Sequence, residues 1–168
     1  MIDKIYLGLG SNLGDRLANL KFAIDEISKS DRCRVLKSSA VYETTPYGEL
    51  QQENFYNAVI EIETALGFFD LFHLLKSIEG RAGRNKEPKV KWEPRELDID
   101  IIFYNEFVYE GELISIPHKE YNNRDFVLTP LLELAQEFKH PVLKKKLRDI
   151  KFEVVEQHIL SKIDESLL

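Results

Sequence analysis

Residues 55–64, FYNAVIEIET, are the clearest guide to the class of fold, because their side chains divide into two sets with a period of two. That period predicts a β-strand with two different faces. One face carries the apolar Ala58, Ile60 and Ile62. The other face carries Phe55, Asn57, Val59 and Glu61.

Further elements are predicted on both sides of this strand. Upstream, we expect a strand over 4–9, a helix capped by Asn12 or Asp15 with its apolar face from Leu13 to Ile27, and a strand over 35–42. Downstream, we expect a helix over 68–82, a strand over 95–104, a hairpin turn at 105–106, a short strand over 113–116, and helices over 121–138 and after Pro141.

The segment between the strands at 35–42 and 55–64 is polar and rich in turn residues, so no helix separates these two strands. Consecutive strands of this kind argue against a purely parallel sheet. The order β-α-β-β-α-β, followed by a hairpin and helices, favours an α+β fold: an antiparallel sheet with helices packed on one face.

Composition limits the function classes. The 168 residues predict one domain, 1–168, and the net charge of −6 disfavours a general nucleic-acid binder. The single cysteine, Cys33, excludes an intramolecular disulfide and a multi-cysteine metal site. We find neither an apolar signal core nor a run of about 18 apolar residues, so we expect a cytoplasmic protein away from membranes.

Two phosphate-binding motifs are excluded by the glycine pattern. Residues 8–14 (GLGSNLG) miss the dinucleotide fingerprint, because Leu13 stands where the last glycine is required. The chain has no Gly-Lys dipeptide and therefore no Walker-type phosphate loop. These glycines are interpreted as a tight turn from strand to helix.

The strongest local signal for chemistry is the pair Asp98 and Asp100. Residues two apart on a strand point the same way, about 6.5 Å apart, so both carboxylates project opposite the apolar set Leu97, Ile99, Ile101 and Phe103. Mg²⁺ prefers one or two carboxylates together with water and phosphate oxygens. The alternative is a pair of solvated aspartates on an exposed strand.

Residues 84–95 favour the metal hypothesis. They carry five basic and two acidic side chains, a net charge of +3 in an acidic chain, directly before the aspartates. This combination suits the binding of a metal–polyphosphate. The cations offset the charge of the phosphates, and the carboxylates hold the metal. Trp92 would stack on a planar ligand or cover the site, and the alternative is a solvated loop with one packed Trp.

Phe55 and Asn57 lie on the same face of the strand over 55–64. Phe55 would stack on a flat heterocycle and Asn57 would hydrogen-bond its edge. The alternative is that both residues only pack under a loop.

Several motifs in order resemble the 6-hydroxymethyl-7,8-dihydropterin pyrophosphokinase family of folate biosynthesis. The resembling segments are 9–14 (LGSNLG), 38–46 (SSAVYETTP), 55–58 (FYNA), 92–102 (WEPRELDIDII), 116–118 (IPH) and 123–126 (NRDF). The resemblance implies a ferredoxin-like α+β fold. It also implies a monomeric enzyme that transfers the β,γ-diphosphate of ATP to the pterin hydroxymethyl group and releases AMP.

The resemblance also implies residue roles. Asp98 and Asp100 would be catalytic ligands of Mg²⁺, with two ions expected beside ATP, and the remaining catalytic residues would be Arg84, Arg95 and Trp92. The ATP side would comprise Glu79, Arg84, Lys86, Arg95, Ile101, His118 and Arg124. The pterin side would comprise Thr44, Thr45, Pro46, Tyr47, Phe55, Asn57, Trp92 and Phe126.

This chain departs from the family pattern at four positions. Glu93 stands where the family usually has a small residue, and Thr45 stands where it frequently has proline. Phe55 replaces a frequent tyrosine, and Lys119 replaces a frequent aromatic residue. Two other functions stay open from the residues alone. One is a different Mg²⁺-dependent small-molecule kinase, which would release ADP, and the other is a non-catalytic ferredoxin-like binding module.

Overall fold

The computed structural model of the protein describes residues 3–46, 51–83 and 93–168. The strands are β1 (Asp3–Ser11), β2 (Cys33–Ser38), β3 (Val41–Thr44), β4 (Phe55–Thr64), β5 (Asp98–Tyr104), β6 (Tyr109–Glu110), β7 (Ser115–Ile116) and β8 (Ile159–Ile163). The helices are α1 (Arg16–Ser28), α2 (Phe68–Arg81) and α3 (Asp125–Ala135), followed by a 3₁₀ turn at Leu147–Asp149. Within these ranges, none of the helices combines the length and apolar character needed to cross a membrane.

Six strands form one sheet in the order β5-β1-β4-β3-β8, and β2 also pairs with β4. Every pairing between these strands is antiparallel, so the predicted antiparallel α+β fold is confirmed. The central strand β4 has the predicted bounds and the predicted division of its faces. Asp15 caps α1, because its side chain accepts a hydrogen bond of 3.0 Å from the amide of Ala18.

Helices cover both faces of the sheet, which corrects the expectation of helices on one face only. α1 and α2 pack on the face that carries Ile60 and Ile62, whereas α3 packs on the opposite face, where Leu131 joins Val59 and Phe103. The physical reason is that β4 offers buried apolar side chains on both sides. Each apolar surface needs a covering layer to exclude water.

A β-bulge in β5 corrects the predicted face of Phe103. The pairing with β1 passes from Tyr6↔Phe103 to Leu7↔Ile101, which leaves Ile102 as an extra residue. A bulge resets the alternation of side chains along a strand. Phe103 therefore lies with Tyr6 in the core under α3, opposite the face of Ile101.

The strand predicted over 35–42 is two strands. Ser39 interrupts it: its amide donates to the carbonyl of Val59 (2.8 Å), and its hydroxyl oxygen accepts from the amide of Val59 (2.9 Å). A side chain thus replaces a backbone group in the ladder at this point. The predicted turn at 105–106 is present, but the strand after it, β6, pairs with β7 instead of β5.

The segment after Pro141 is not the predicted helix. It contains the 3₁₀ turn and then β8, which pairs with β3 at the edge of the sheet. The edge of β3 offers backbone groups that need partners, and an extended chain supplies them. Pairing between residues more than 100 positions apart leaves no mark in the local sequence period.

Candidate active site

Two crevices meet where β1, β4 and β5 lie side by side. The first crevice is lined by β1, β3, β4 and the start of α3, with Gly10, Thr44, Thr45, Gln52, Phe55, Asn57, Phe126 and Val127 among its residues. The second crevice is lined by α2, β5 and the β6–β7 hairpin, with Phe72, Lys76, Ile99, Ile101, Lys119 and Glu120 among its residues. Five polar residues line both crevices: Arg95, Asp98, Asp100, His118 and Arg124.

Asp98 and Asp100 project from the same face of β5, as predicted. They pair with Gly10 and Gly8 of β1, so the neighbouring strand places no side chain beside the carboxylates. Nη1 of Arg95 donates to Oδ2 of Asp98 over 2.8 Å, and the two side chains are 20% and 23% exposed. The Asp100 side chain is 45% exposed. The pair therefore faces a solvent-accessible space with a cation beside one member.

Asn12 positions Arg95. The backbone amide of Arg95 donates to Oδ1 of Asn12 (2.8 Å), and the backbone amide of Asn12 donates to the carbonyl of Arg95 (3.1 Å). Nδ2 of Asn12 also donates to Oε1 of Gln52 (2.7 Å), which draws a loop residue into the first crevice. Sequence reasoning missed Gln52, since a glutamine in a polar loop has no distinguishing pattern.

His118 and Arg124 stand between the two crevices. Nε2 of His118 lies 3.9 Å from Oδ2 of Asp100, while Nδ1 of His118 accepts from the amide of Glu120 (3.2 Å). Burial lowers the pKa of the Arg124 guanidinium, and the carboxylates of Glu120, Asp100 and Asp98 act in the opposite direction. A guanidinium that is only 15% exposed close to these carboxylates suits the recognition of an anion.

The two other described residues among those predicted for the ATP side differ in position. Ile101 lines the second crevice. Glu79 lies behind β5 with a side chain that is 3% exposed. Its Oε1 accepts from the amide of Ile99 (2.7 Å) and from Nζ of Lys76 (3.0 Å). In this arrangement the carboxylate holds the backbone between the two aspartates.

The first crevice brings together most of the residues predicted for the pterin side. Thr44, Thr45, Phe55, Asn57 and Phe126 all line it. Nδ2 of Asn57 donates to Oγ1 of Thr44 over 2.7 Å, which holds the amide in place between β3 and β4. Two aromatic rings and a fixed amide suit a flat heterocycle with polar edges. Pro46 follows Thr45 in the chain and is half-buried.

Four predicted site residues lie outside the described ranges: Tyr47, Arg84, Lys86 and Trp92. Their roles stay predictions. Among the described residues, no group of three His, Cys, Asp or Glu side chains has the arrangement of a metal site. Two carboxylates without further protein ligands nevertheless fit Mg²⁺, which keeps several waters and takes phosphate oxygens from the substrate.

Comparison with known proteins identifies relatives of this chain. A family model described as 7,8-dihydro-6-hydroxymethylpterin-pyrophosphokinase (HPPK) matches residues 6–136. The 2-amino-4-hydroxy-6-hydroxymethyldihydropteridine pyrophosphokinase of Aquifex aeolicus is 38% identical over 147 residues, which is 88% of this chain and 89% of the relative. The enzyme of that name from Bacillus subtilis is 40% identical over 132 residues, covering 79% and 78%.

Solved structures support the fold. The crystal structure of Plasmodium falciparum HPPK-DHPS wild type matches with a TM-score of 0.65 and 16% identity, over 88% of this chain. The match covers 44% of that longer chain. These matches favour neither a different kinase nor a non-catalytic module. The chain belongs to the 7,8-dihydro-6-hydroxymethylpterin-pyrophosphokinase family, the ATP-dependent pyrophosphokinases of folate biosynthesis.

Proposed function

We propose that this protein transfers the β,γ-pyrophosphate of ATP to the hydroxymethyl group of 6-hydroxymethyl-7,8-dihydropterin and releases AMP at the junction of the two crevices. The single observation that carries the proposal is that five polar side chains, described above, line both crevices at once. A substrate in each crevice would meet its partner at these side chains. Pyrophosphoryl transfer depends mainly on such positioning and on neutralisation of charge.

The first crevice takes the pterin in this proposal. Phe55 and Phe126 stack on the two faces of the ring, and Asn57 hydrogen-bonds its edge. In this proposal, backbone groups of 44–47 and the side chain of Trp92 are further partners of the pterin. The polar contacts define the orientation of the ring and direct its hydroxymethyl group toward Asp98 and Asp100.

The second crevice takes ATP. Arg84, Lys86 and Arg95 bind its phosphates, while Ile101, His118 and Arg124 line the nucleotide side and Glu79 supports β5 from behind. Asp98 and Asp100 would hold Mg²⁺, with two ions expected beside ATP, and the metal would supply positive charge for the triphosphate and Lewis acidity at the β-phosphate. The hydroxymethyl oxygen bonds to the β-phosphorus as the bond from that phosphorus to the α–β bridging oxygen breaks. The hydroxyl proton passes to solvent, and AMP leaves with the bridging oxygen.

We further propose that residues 1–168 act as one pyrophosphokinase domain that works as a cytoplasmic monomer on these two small molecules, without nucleic acid or membrane. The length of 168 residues supports one domain, and the net charge of −6 supports the absence of a nucleic-acid partner. The resemblance to the family supports the monomer. Size-exclusion chromatography with light scattering tests the monomer, for which the expected mass is 19.6 kDa.

A product assay tests the reaction. The protein is mixed with 6-hydroxymethyl-7,8-dihydropterin, ATP and Mg²⁺, and the nucleotides and pterins are separated by chromatography. We expect AMP and a diphosphorylated pterin to accumulate in equal amounts and both to disappear when EDTA is added. Formation of ADP instead of AMP would contradict the proposed transfer. Turnover unaffected by EDTA would contradict the proposed requirement for a metal ion.

A further inference from the structure

The C-terminal segment 156–163 packs against the first crevice from outside the family-matched residues 6–136. The Asp125 carboxylate, at the start of α3, anchors this segment. It accepts hydrogen bonds of 2.9 Å from the amides of His158 and Ile159. The amide of Asp125 in turn donates to the carbonyl of Glu156 (3.2 Å). Several backbone bonds therefore define where His158 lies.

His158 is bonded twice to Thr45, which lines the first crevice. The amide of Thr45 donates to the carbonyl of His158 (2.9 Å), and a hydrogen bond of 2.7 Å joins Oγ1 of Thr45 and Nδ1 of His158. The backbone amide and the hydroxyl group of Thr45 thus both bind His158.

His158 also contacts the opposite wall of the first crevice. Its ring lies edge-on to Phe126, with 5.7 Å between the centroids and 80° between the planes. Such edge-to-face pairs favour one orientation of the aromatic ring. One half-buried side chain thus touches both Thr45 and Phe126, two residues that line the crevice on different elements.

We propose that His158 is a positioning residue of the pterin side, which fixes the spacing between the wall at Thr45 and the ring of Phe126. The proposal rests on the proposed function, because it takes the first crevice to be the pterin site. His158 acts through Thr45 and Phe126 and does not itself touch the reacting atoms. Pterin affinity in this chain therefore depends on a C-terminal residue outside the region that the family model matches.

Substitutions at His158 and Thr45 distinguish the hydrogen bond between them from the ring contact of His158 with Phe126. His158→Ala removes both side-chain contacts, His158→Asn keeps an acceptor or donor near the position of Nδ1, and His158→Phe keeps only the ring edge. Thr45→Val removes the hydroxyl group but keeps the amide. We expect His158→Ala and Thr45→Val each to raise the Kd and the KM for the pterin about tenfold, with the KM for ATP within twofold of wild type.

The double variant and the rescue variant exclude a general loss of structure. Because His158→Ala already breaks the side-chain hydrogen bond that Thr45→Val breaks, we expect the double variant to weaken pterin binding no more than His158→Ala does, about tenfold and not hundredfold. His158→Asn restores the hydrogen bond but not the ring contact and should recover part of the affinity, and His158→Phe should resemble Thr45→Val. Lys162→Ala, an exposed change in β8, is the matched control in the same segment and should behave as wild type.

Calorimetric titration with the pterin is read beside the product assay. If wild type forms no diphosphorylated pterin yet binds the pterin more tightly than His158→Ala does, the reaction is wrong and the positioning role stands. If wild type is active and the variants bind the pterin as it does, the positioning role alone is overturned. Equal weakening of ATP and pterin binding would also overturn it, as would a wild type that binds no pterin.

Discussion

At the scale of single residues, the aspartate pair carries the chemistry and the residues around it restrict its geometry. Asp98 is held by Arg95, whose backbone is held by the buried Asn12. Asp100 is more exposed and lies near His118. The two carboxylates therefore differ in their surroundings although they share one strand and one face.

Replacement of either aspartate tests the proposed metal site. Asp98→Asn or Asp100→Asn removes a charged ligand of the proposed metal ion, and a bound metal ion supplies several kcal/mol of transition-state stabilisation in such sites. We expect turnover to fall by about three orders of magnitude, measured as the rate of AMP formation at saturating substrates. Asp25→Asn, on the exposed side of α1, is the control. Turnover within tenfold of wild type in both site variants would contradict the assignment.

Gly10 is required by the approach of Asn57. A Cβ atom at Gly10 would lie 2.8 Å from Oδ1 of Asn57, closer than real Cβ contacts. At Gly8, on the same strand and face, the nearest atom is Cδ1 of Ile102 at 3.5 Å, an ordinary van der Waals distance. A Cβ atom therefore fits at Gly8 but not at Gly10, although nothing in the sequence distinguishes these two glycines.

Gly10→Ala should displace the Asn57 amide from its hydrogen bond with Thr44. We expect a loss of about 1–3 kcal/mol in the free energy of unfolding, as for other overpacked sites, with a higher KM for the pterin. Gly8→Ala should cost clearly less stability. Urea denaturation of both variants measures the difference, and equal losses would show that the contact with Asn57 is relaxed without cost.

At the scale of elements, α2 supports β5, which forms an edge of the sheet. The amide of Ile99, between the two aspartates, donates to the buried Glu79. A helix side chain thus takes the place of a neighbouring strand at this amide. The same contact links the stability of the edge to the position of the carboxylates.

Glu79→Ala should leave the Ile99 amide without its acceptor. We expect a loss of about 1–3 kcal/mol in the free energy of unfolding, whereas Glu79→Gln keeps an oxygen acceptor and should lose less. Chemical denaturation of both variants tests the structural role. The KM for ATP distinguishes a direct contact with the nucleotide: a rise in Glu79→Gln at unchanged stability would show that contact.

At the scale of the whole molecule, two carboxylates make stability depend on pH. A hydrogen bond from Lys29, aided by the charge of Arg81, lowers the pKa of Glu26 below its ordinary 4.5. Glu137 has a lowered pKa for a similar reason, with hydrogen bonds from Lys146 and Arg148. A carboxyl group whose pKa is lower in the folded state stabilises that state at pH values above the ordinary pKa of the group, and the stabilisation is lost as the pH falls through the lowered pKa.

We therefore expect the melting temperature to fall as the pH drops below about 4.5, through the lowered pKa values of these groups. Glu26→Gln with Glu137→Gln should melt lower at pH 7 and lose less on acidification. Thermal melts at pH 7, 5, 4 and 3 test this, with the exposed Glu153→Gln as control. Parallel curves for wild type and the double variant would contradict it.

Sequence patterns predicted the features that depend on neighbours along the chain. The period of two in residues 55–64 sets the faces of β4, and the spacing of Asp98 and Asp100 sets their common direction, because strand geometry is local. The folded structure was needed to find the face of Phe103, the place of Gln52 and the contact of His158 with Thr45. A bulge, a loop contact and the pairing of strands far apart in sequence depend on which surfaces meet, and no local pattern records that choice.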